Sequence, residues 1–173
     1  MDPIFLIFLY ILISENIVKN NKVVTLTYMI YDETGIQEQS DLPISYLHGK
    51  NHTMFQKVAD SLEGKKVGDK VEVELTPEEG FGERDESKTF SDSVENVPPE
   101  FQQIGSEAEF QNEVGERITM TVVKIENGRV YLDGNHPFAG KNMTFKISIT
   151  DVRDASMDEI GSGKVLDGST ITQ

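Results

Sequence analysis

Hydrophobic and polar positions alternate along several stretches of this chain and change period in one. Val23–Tyr31 (VVTLTYMIY) is dense in β-branched and aromatic residues, the composition of a strand. Asp32-Glu33-Thr34-Gly35 then reads as a turn, with Gly35 free to take positive φ. Ile36–Gln39 is expected to return as a poor strand, Pro43 to interrupt, and Ile44–Leu47 to follow as a short apolar segment. At Thr53 the period becomes helical. Met54, Phe55, Val58 and Leu62 recur three and four apart, with Thr53 placed to cap the start and Gly64 to stop the helix. Val67–Leu75 alternates again, with Val71, Val73 and Leu75 inward and Lys70, Glu72 and Glu74 outward.

After Pro77 the pattern loosens and acids accumulate up to Glu116. Val97-Pro-Pro-Glu-Phe101 marks a reversal or a short helix start. Ala108–Gln111 is followed by a turn at Gly115. Ile118–Ile125 alternates as a strand, and Asn127-Gly128 is a strong hairpin signal before Arg129–Leu132. Thr144–Val152 is a last alternating strand. From Ser156 the chain turns rich in glycine, serine and aspartate and is expected to be a loose tail through residue 173. The pattern is therefore α+β and mostly antiparallel. A strand-rich insertion over 85–132 interrupts a host domain made of 17–84 and 133–155.

Composition narrows the chemistry. The 173 residues carry 37% hydrophobic and 27% charged side chains, enough for a packed core. A net charge of −14 disfavours nucleic acid and anionic membrane as partners. With no cysteine there is no disulfide and no thiol chemistry. The three histidines, His48, His52 and His136, have no metal-ligand spacing, since a glycine and a loop separate the first two, and no metal or other cofactor is expected. Residues 1–16 begin with an apolar run, Ile4–Ile13, too short to cross a bilayer, which takes ~20 residues. No basic residue precedes it and no small-x-small site follows. It reads either as an extra segment upstream of the fold or as an unusual export signal or anchor. The corresponding locations are the cytoplasm and, in the second case, the membrane or beyond.

Four segments in order carry a family resemblance: Tyr46-Leu-His-Gly49, Leu62-Glu-Gly-Lys-Lys-Val-Gly-Asp-Lys70, Gly80-Phe-Gly82 and Asp133-Gly-Asn-His-Pro-Phe-Ala-Gly-Lys141. Together they resemble the FKBP-type prolyl isomerases, and the insertion with its DGNHPFAGK exit resembles the SlyD-like branch. The resemblance spans roughly Asn20–Ala155. It implies a curled antiparallel sheet wrapped on one short helix, with an insert-in-flap domain. It also implies two linked activities: isomerisation of X-Pro bonds, and capture of unfolded or nascent proline-containing chains by the inserted domain, by a monomer. The rival reading is a non-catalytic chaperone or interaction module on the same fold.

Carried over by position, the resemblance makes Tyr28 one wall of the isomerase pocket and puts Ile44 at its entry. Met54 and Phe55 open the helix, with the Phe55 N–H meeting a substrate carbonyl, and Val58 forms the floor. Phe81 and Phe145 close opposite walls, and His136 approaches the prolyl ring. Read without the family, Tyr28, Met54, Phe55, Val58 and Phe145 are ordinary core positions, and a lone histidine is a structural one. The chain departs from the family at several points, among them a Lys50-Asn51-His52 loop one residue longer than the SlyD pattern. Phe81 stands where a tyrosine is usual. Gln39 follows Glu38 where an aspartate is expected, able to accept a hydrogen bond but not to supply charge. Lys57 replaces a small residue. The histidine- and cysteine-rich metal tail is missing, since Ser156–Gln173 has neither residue. In the insertion, Val97, Phe101, Ile104, Phe110 and Met120 are candidates for client binding. So short a segment buries its apolar residues poorly, and exposed apolar patches bind partners.

Overall fold

The computed structural model describes residues 16–49, 54–111, 115 and 117–166. The apolar run 4–13, the expected cap Thr53, His52 and the last seven residues lie outside the described residues. The chain divides into two compact units, Met1–Gly80 with Lys141–Gln173, and Phe81–Gly140. The inserted unit is thus wider at both ends than 85–132.

The host unit is a four-stranded antiparallel sheet in the order β2-β1-β8-β3, formed by β1 (Lys22–Asp32), β2 (Gly35–Leu47), β3 (Lys70–Leu75) and β8 (Met143–Asp154). A seven-residue helix, α1 (Gln56–Leu62), packs on it. Register decides which side chains meet. Leu26, Tyr28 and Ile30 on β1 stand opposite Ile149, Ile147 and Phe145 on β8, and the last two of these stand opposite Val71 and Val73 on β3. These positions share one face. Val58 and Leu62 of α1 are fully buried, each contributing about 1.5–3 kcal/mol by leaving water. Gly64, at φ +76°, ends the helix in the conformation only glycine takes freely.

Pro43 does not interrupt β2. The ladder slips between Leu26↔Ile44 and Tyr28↔Ser40, so Asp41–Pro43 bulge from the edge of the sheet. There the missing proline N–H leaves no ladder bond unmade.

The stretch after Ala155 is not loose as far as Leu166. Ser156 caps α2 (Met157–Ser162) in a capping box with Glu159. The buried Glu159 carboxylate takes both Arg153 guanidinium nitrogens at 2.8 Å, and the Leu166 N–H at 3.1 Å. Val165 then packs on Val23 and Leu47, a directly opposed pair on the other face of the sheet.

The inserted unit is a second antiparallel sheet, β4-β7-β6-β5, from β4 (Thr89–Ser93), β5 (Glu107–Gln111), β6 (Arg117–Glu126) and β7 (Arg129–Asp133). Asn127 and Gly128, at φ +51° and +74°, make the expected turn between β6 and β7. Its core is Ala108, Met120, Val122, Val130 and Leu132. Two 3-10 turns, Val94–Asn96 and Pro99–Phe101, bring Val94, Val97 and Phe101 over that core. The Gln102 side chain holds the turns by donating to the carbonyls of Val94 and Val97.

Candidate functional site

The helix-facing side of the host sheet gathers most of the expected pocket residues. Tyr28 stands opposite Ile147 and Ser40, Phe145 opposite Ile30 and Val73, and Ile44 opposite Leu26. Phe55, immediately before α1, meets the Phe145 ring edge-on with centroids 5.8 Å apart and planes at 71°. Val58 is buried one turn later. On this largely apolar face the Tyr28 hydroxyl donates to Oε1 of Glu38. Partial burial, reinforced by that bond and by the carboxylate charge, pushes the Tyr28 phenol up to about 12.

Gln39 is not in this arrangement. Side chains alternate along a strand, and Glu38 shares the face of Ser40 and Tyr28, so Gln39 points to the other side. It is exposed and donates to Asp41 at 2.8 Å. Glu38 is the functional candidate that motif reading missed. The signal that finds it is register: two residues from the partner of Tyr28, on the same face. The pair also restores the charge whose absence counted as a departure from the family.

Met54 lines a polar cleft of about 310 Å³ in the host unit, beside Tyr46, His48, Gln56 and Asp60. His48 in that cleft is buried. Tyr46 Oη lies 2.8 Å from its Nδ1 and Glu63 Oε2 lies 2.6 Å from its Nε2, so both ring nitrogens are occupied. Lys57 pairs with Glu79 at 2.7 Å, tying α1 to the turn after β3.

Phe81 and His136 belong to the inserted unit. Their rings stack with centroids 4.6 Å apart at 15°, and Phe138 meets both edge-on. His136 Nδ1 accepts the Phe138 N–H at 3.1 Å, so the ring is held by its own loop.

Of the residues expected to bind clients, Met120 is a core residue, 7% exposed, and Val97 and Phe101 are half-buried against it. Register explains this: Met120 pairs with Ala108 on the face covered by the 3-10 turns. Ile104 and Phe110 are exposed. Phe90, which sequence patterning passed over because β4 is short and polar, is 48% exposed and lies 6.3 Å from the Phe110 ring. A Cβ on Gly134 would stand 3.3–3.4 Å from Ile118 and Met120, so glycine there lets the chain pass closely over those side chains.

No family profile matches the chain. Among curated proteins, the FKBP-type peptidyl-prolyl cis-trans isomerase SlyD of Vibrio cholerae is 34% identical over 160 residues, covering 86% of this chain and 75% of that protein. The protein of the same name from Aeromonas hydrophila is 36% identical over 151 residues, covering 83% and 68%. That of Escherichia coli K12 is 28% identical over 157 residues, covering 86% and 76%.

Proposed function

The chain belongs to the SlyD branch of the FKBP-type peptidyl-prolyl cis-trans isomerases, and on that premise we propose that it isomerises X-Pro bonds on the face bearing Tyr28, Phe55 and Phe145. The observation that carries the reading is the edge-on Phe55–Phe145 pair beside a single phenol–carboxylate couple.

The chemistry asks for little else. The barrier is amide resonance, about 18–20 kcal/mol, and no proton, metal or nucleophile is needed to cross it. The planar amide is more polar than the twisted one. An apolar site therefore penalises the ground state more than the transition state. Each ~1.4 kcal/mol so gained is a tenfold acceleration. Phe55, Phe145, Ile44 and Val58 supply the apolar walls, and Met54 borders them. Tyr28, held neutral and oriented by Glu38, supplies a polar anchor.

The inserted unit captures unfolded or nascent proline-containing chains. Exposed Phe90, Phe110 and Ile104 support this, with half-buried Val97 and Phe101 behind them. The protein acts as a cytoplasmic monomer in this reading. Among the described residues, no helix is long and apolar enough to cross a membrane.

A protease-coupled assay on a proline tetrapeptide tests the enzyme reading. Acceleration over the uncatalysed rate is expected. No acceleration, with client aggregation still suppressed, would leave a chaperone without catalysis.

A further inference from the structure

Glu38 sets a carboxylate against one wall of the pocket, and among the described residues no ion pair joins it. Its Oε1 accepts the hydroxyl of Tyr28, a neutral partner that leaves the charge in place. Other acids of the host unit have cations. Glu79 takes Lys57 of α1 at 2.7 Å, and Asp32, at the β1–β2 turn, takes Lys141 at 3.3 Å. Glu72 lies 3.5 Å from Lys146, and strand alternation puts that pair on the opposite face of the sheet. Glu38 is exposed, on the strand that forms the edge of the sheet, so its free charge meets whatever enters from solvent.

The distance to the aromatic pair is short. Tyr28 and Phe145 are diagonal neighbours across the β1–β8 ladder, since Phe145 stands opposite Ile30. Such neighbours lie about 7–8 Å apart. A residue flanking a prolyl ring on Phe145 is therefore within about one Debye length of the Glu38 carboxylate, ~10 Å at 0.1 M salt. A lysine or arginine there also carries its charge on a long stem that can close the gap.

We propose that Glu38 is a specificity-determining residue, through which the site favours X-Pro bonds whose X is lysine or arginine over those whose X is glutamate or aspartate. This rests on the reading that the face bearing Tyr28, Phe55 and Phe145 is the isomerase site. The net charge of −14 acts in the same direction but from all sides of the chain. Asp41 separates the two effects. It is also on β2, but its Oδ1 takes the Gln39 amide at 2.8 Å, and Gln39 points away from Tyr28.

The test measures kcat/KM of the full chain on three N-acetylated tetrapeptides that differ only in the residue before proline: lysine, glutamine or glutamate. At low salt the lysine peptide is expected to exceed the glutamate peptide roughly tenfold, with glutamine between them. Salt of about 0.5 M should bring the three together, a measurement that needs no variant. Glu38→Gln should cut the ratio to roughly twofold to threefold, whatever it does to turnover as a whole. Glu38→Asp should keep most of the ratio, and Asp41→Asn, the same loss of charge on the other side of the strand, should keep all of it. A parent ratio near one, a ratio that survives Glu38→Gln, or an equal fall in Asp41→Asn overturns the role of Glu38 and leaves the isomerase reading standing. No acceleration of any of the three peptides overturns that reading, and the proposal with it.

Discussion

The phenol of Tyr28 donates its hydrogen bond to the carboxylate of Glu38, diagonally across the β1–β2 ladder and two residues along from its opposed partner Ser40. The couple fixes the phenol on a largely apolar face and keeps it protonated.

The first prediction concerns that proton. Folding raises the Tyr28 pKa to about 12, with burial the larger cause and Glu38 the second. A group raised on folding stabilises the folded state below its unfolded pKa of ~10, and that stability is lost as pH climbs towards 12. An ultraviolet alkaline titration of the folded chain should show a late tyrosine step that Tyr28→Phe removes. Glu38→Gln should move the step down without restoring the ordinary value, because burial persists. Gln39→Ala should leave it alone. A step that ignores Glu38→Gln would mean the couple does not form.

The second concerns the aromatic pair. Phe145 is buried between β1 and β3, so Phe145→Ala should cost about 3–5 kcal/mol of stability. Phe55 is half-buried ahead of the helix, and Phe55→Ala should cost less, about 1–2 kcal/mol. Both should lower tetrapeptide turnover at least roughly tenfold, and the double variant by less than the product, since each removes the same wall. Denaturant melts separate the two effects. A folded Phe145→Ala with unchanged turnover would remove Phe145 from the pocket.

What was legible in the sequence was whatever repeats along one element. The alternation of Val71, Val73 and Leu75 and the helical spacing of Val58 and Leu62 each need only local period. So does the Asn127-Gly128 turn. What was not legible depends on pairing between distant segments. Gln39 faces away from Tyr28 by strand alternation, and Glu38 comes within reach because a bulge at Asp41–Pro43 advances the register by two residues. Met120 is core because of its pairing with Ala108, not because of its type. The helix at Met157–Ser162 has a readable cap in Ser156 and Glu159, but its dense Gly, Ser and Asp setting hid the one apolar anchor, Val165, and the arginine that Glu159 needs.

The C-terminal clasp gives the third prediction. Glu159 is held well below the usual carboxylate range by Arg153 first, with the N–H groups of Ser156 and Leu166 adding to it against burial. A carboxyl lowered on folding stabilises the folded state above its unfolded pKa of ~4.3, and the stability fades as pH falls below that. Glu159→Gln should lower stability near neutral pH by about 2 kcal/mol through loss of charge-assisted bonds. The gap to the parent chain should narrow in acid. Equal urea midpoints for the two chains at neutral pH would mean that the segment is as loose as its composition suggested.

A last prediction separates client capture from bond rotation. Removing 86–132 and joining Asp85 to Asp133 through a short turn takes away the exposed Phe90 and Phe110. It keeps Phe81, His136 and the Asn135–Asp85 bonds that hold the two ends together. Turnover of a tetrapeptide, which needs only the pocket, should stay within about threefold of the parent. Turnover of a slow-folding protein substrate should fall roughly hundredfold. If the inserted unit captures clients as proposed, it raises the local concentration of a prolyl bond that the pocket alone binds weakly, and tethering of that kind is worth roughly 100-fold or more. A wider cut of 83–139, closed across the Gly82–Gly140 hydrogen bond, also removes His136 and the Asn135–Asp85 bonds. It should match the narrow cut on both substrates if the host pocket alone rotates the bond. Equal losses on both substrates from the narrow cut would mean that capture and rotation are not separable in this chain.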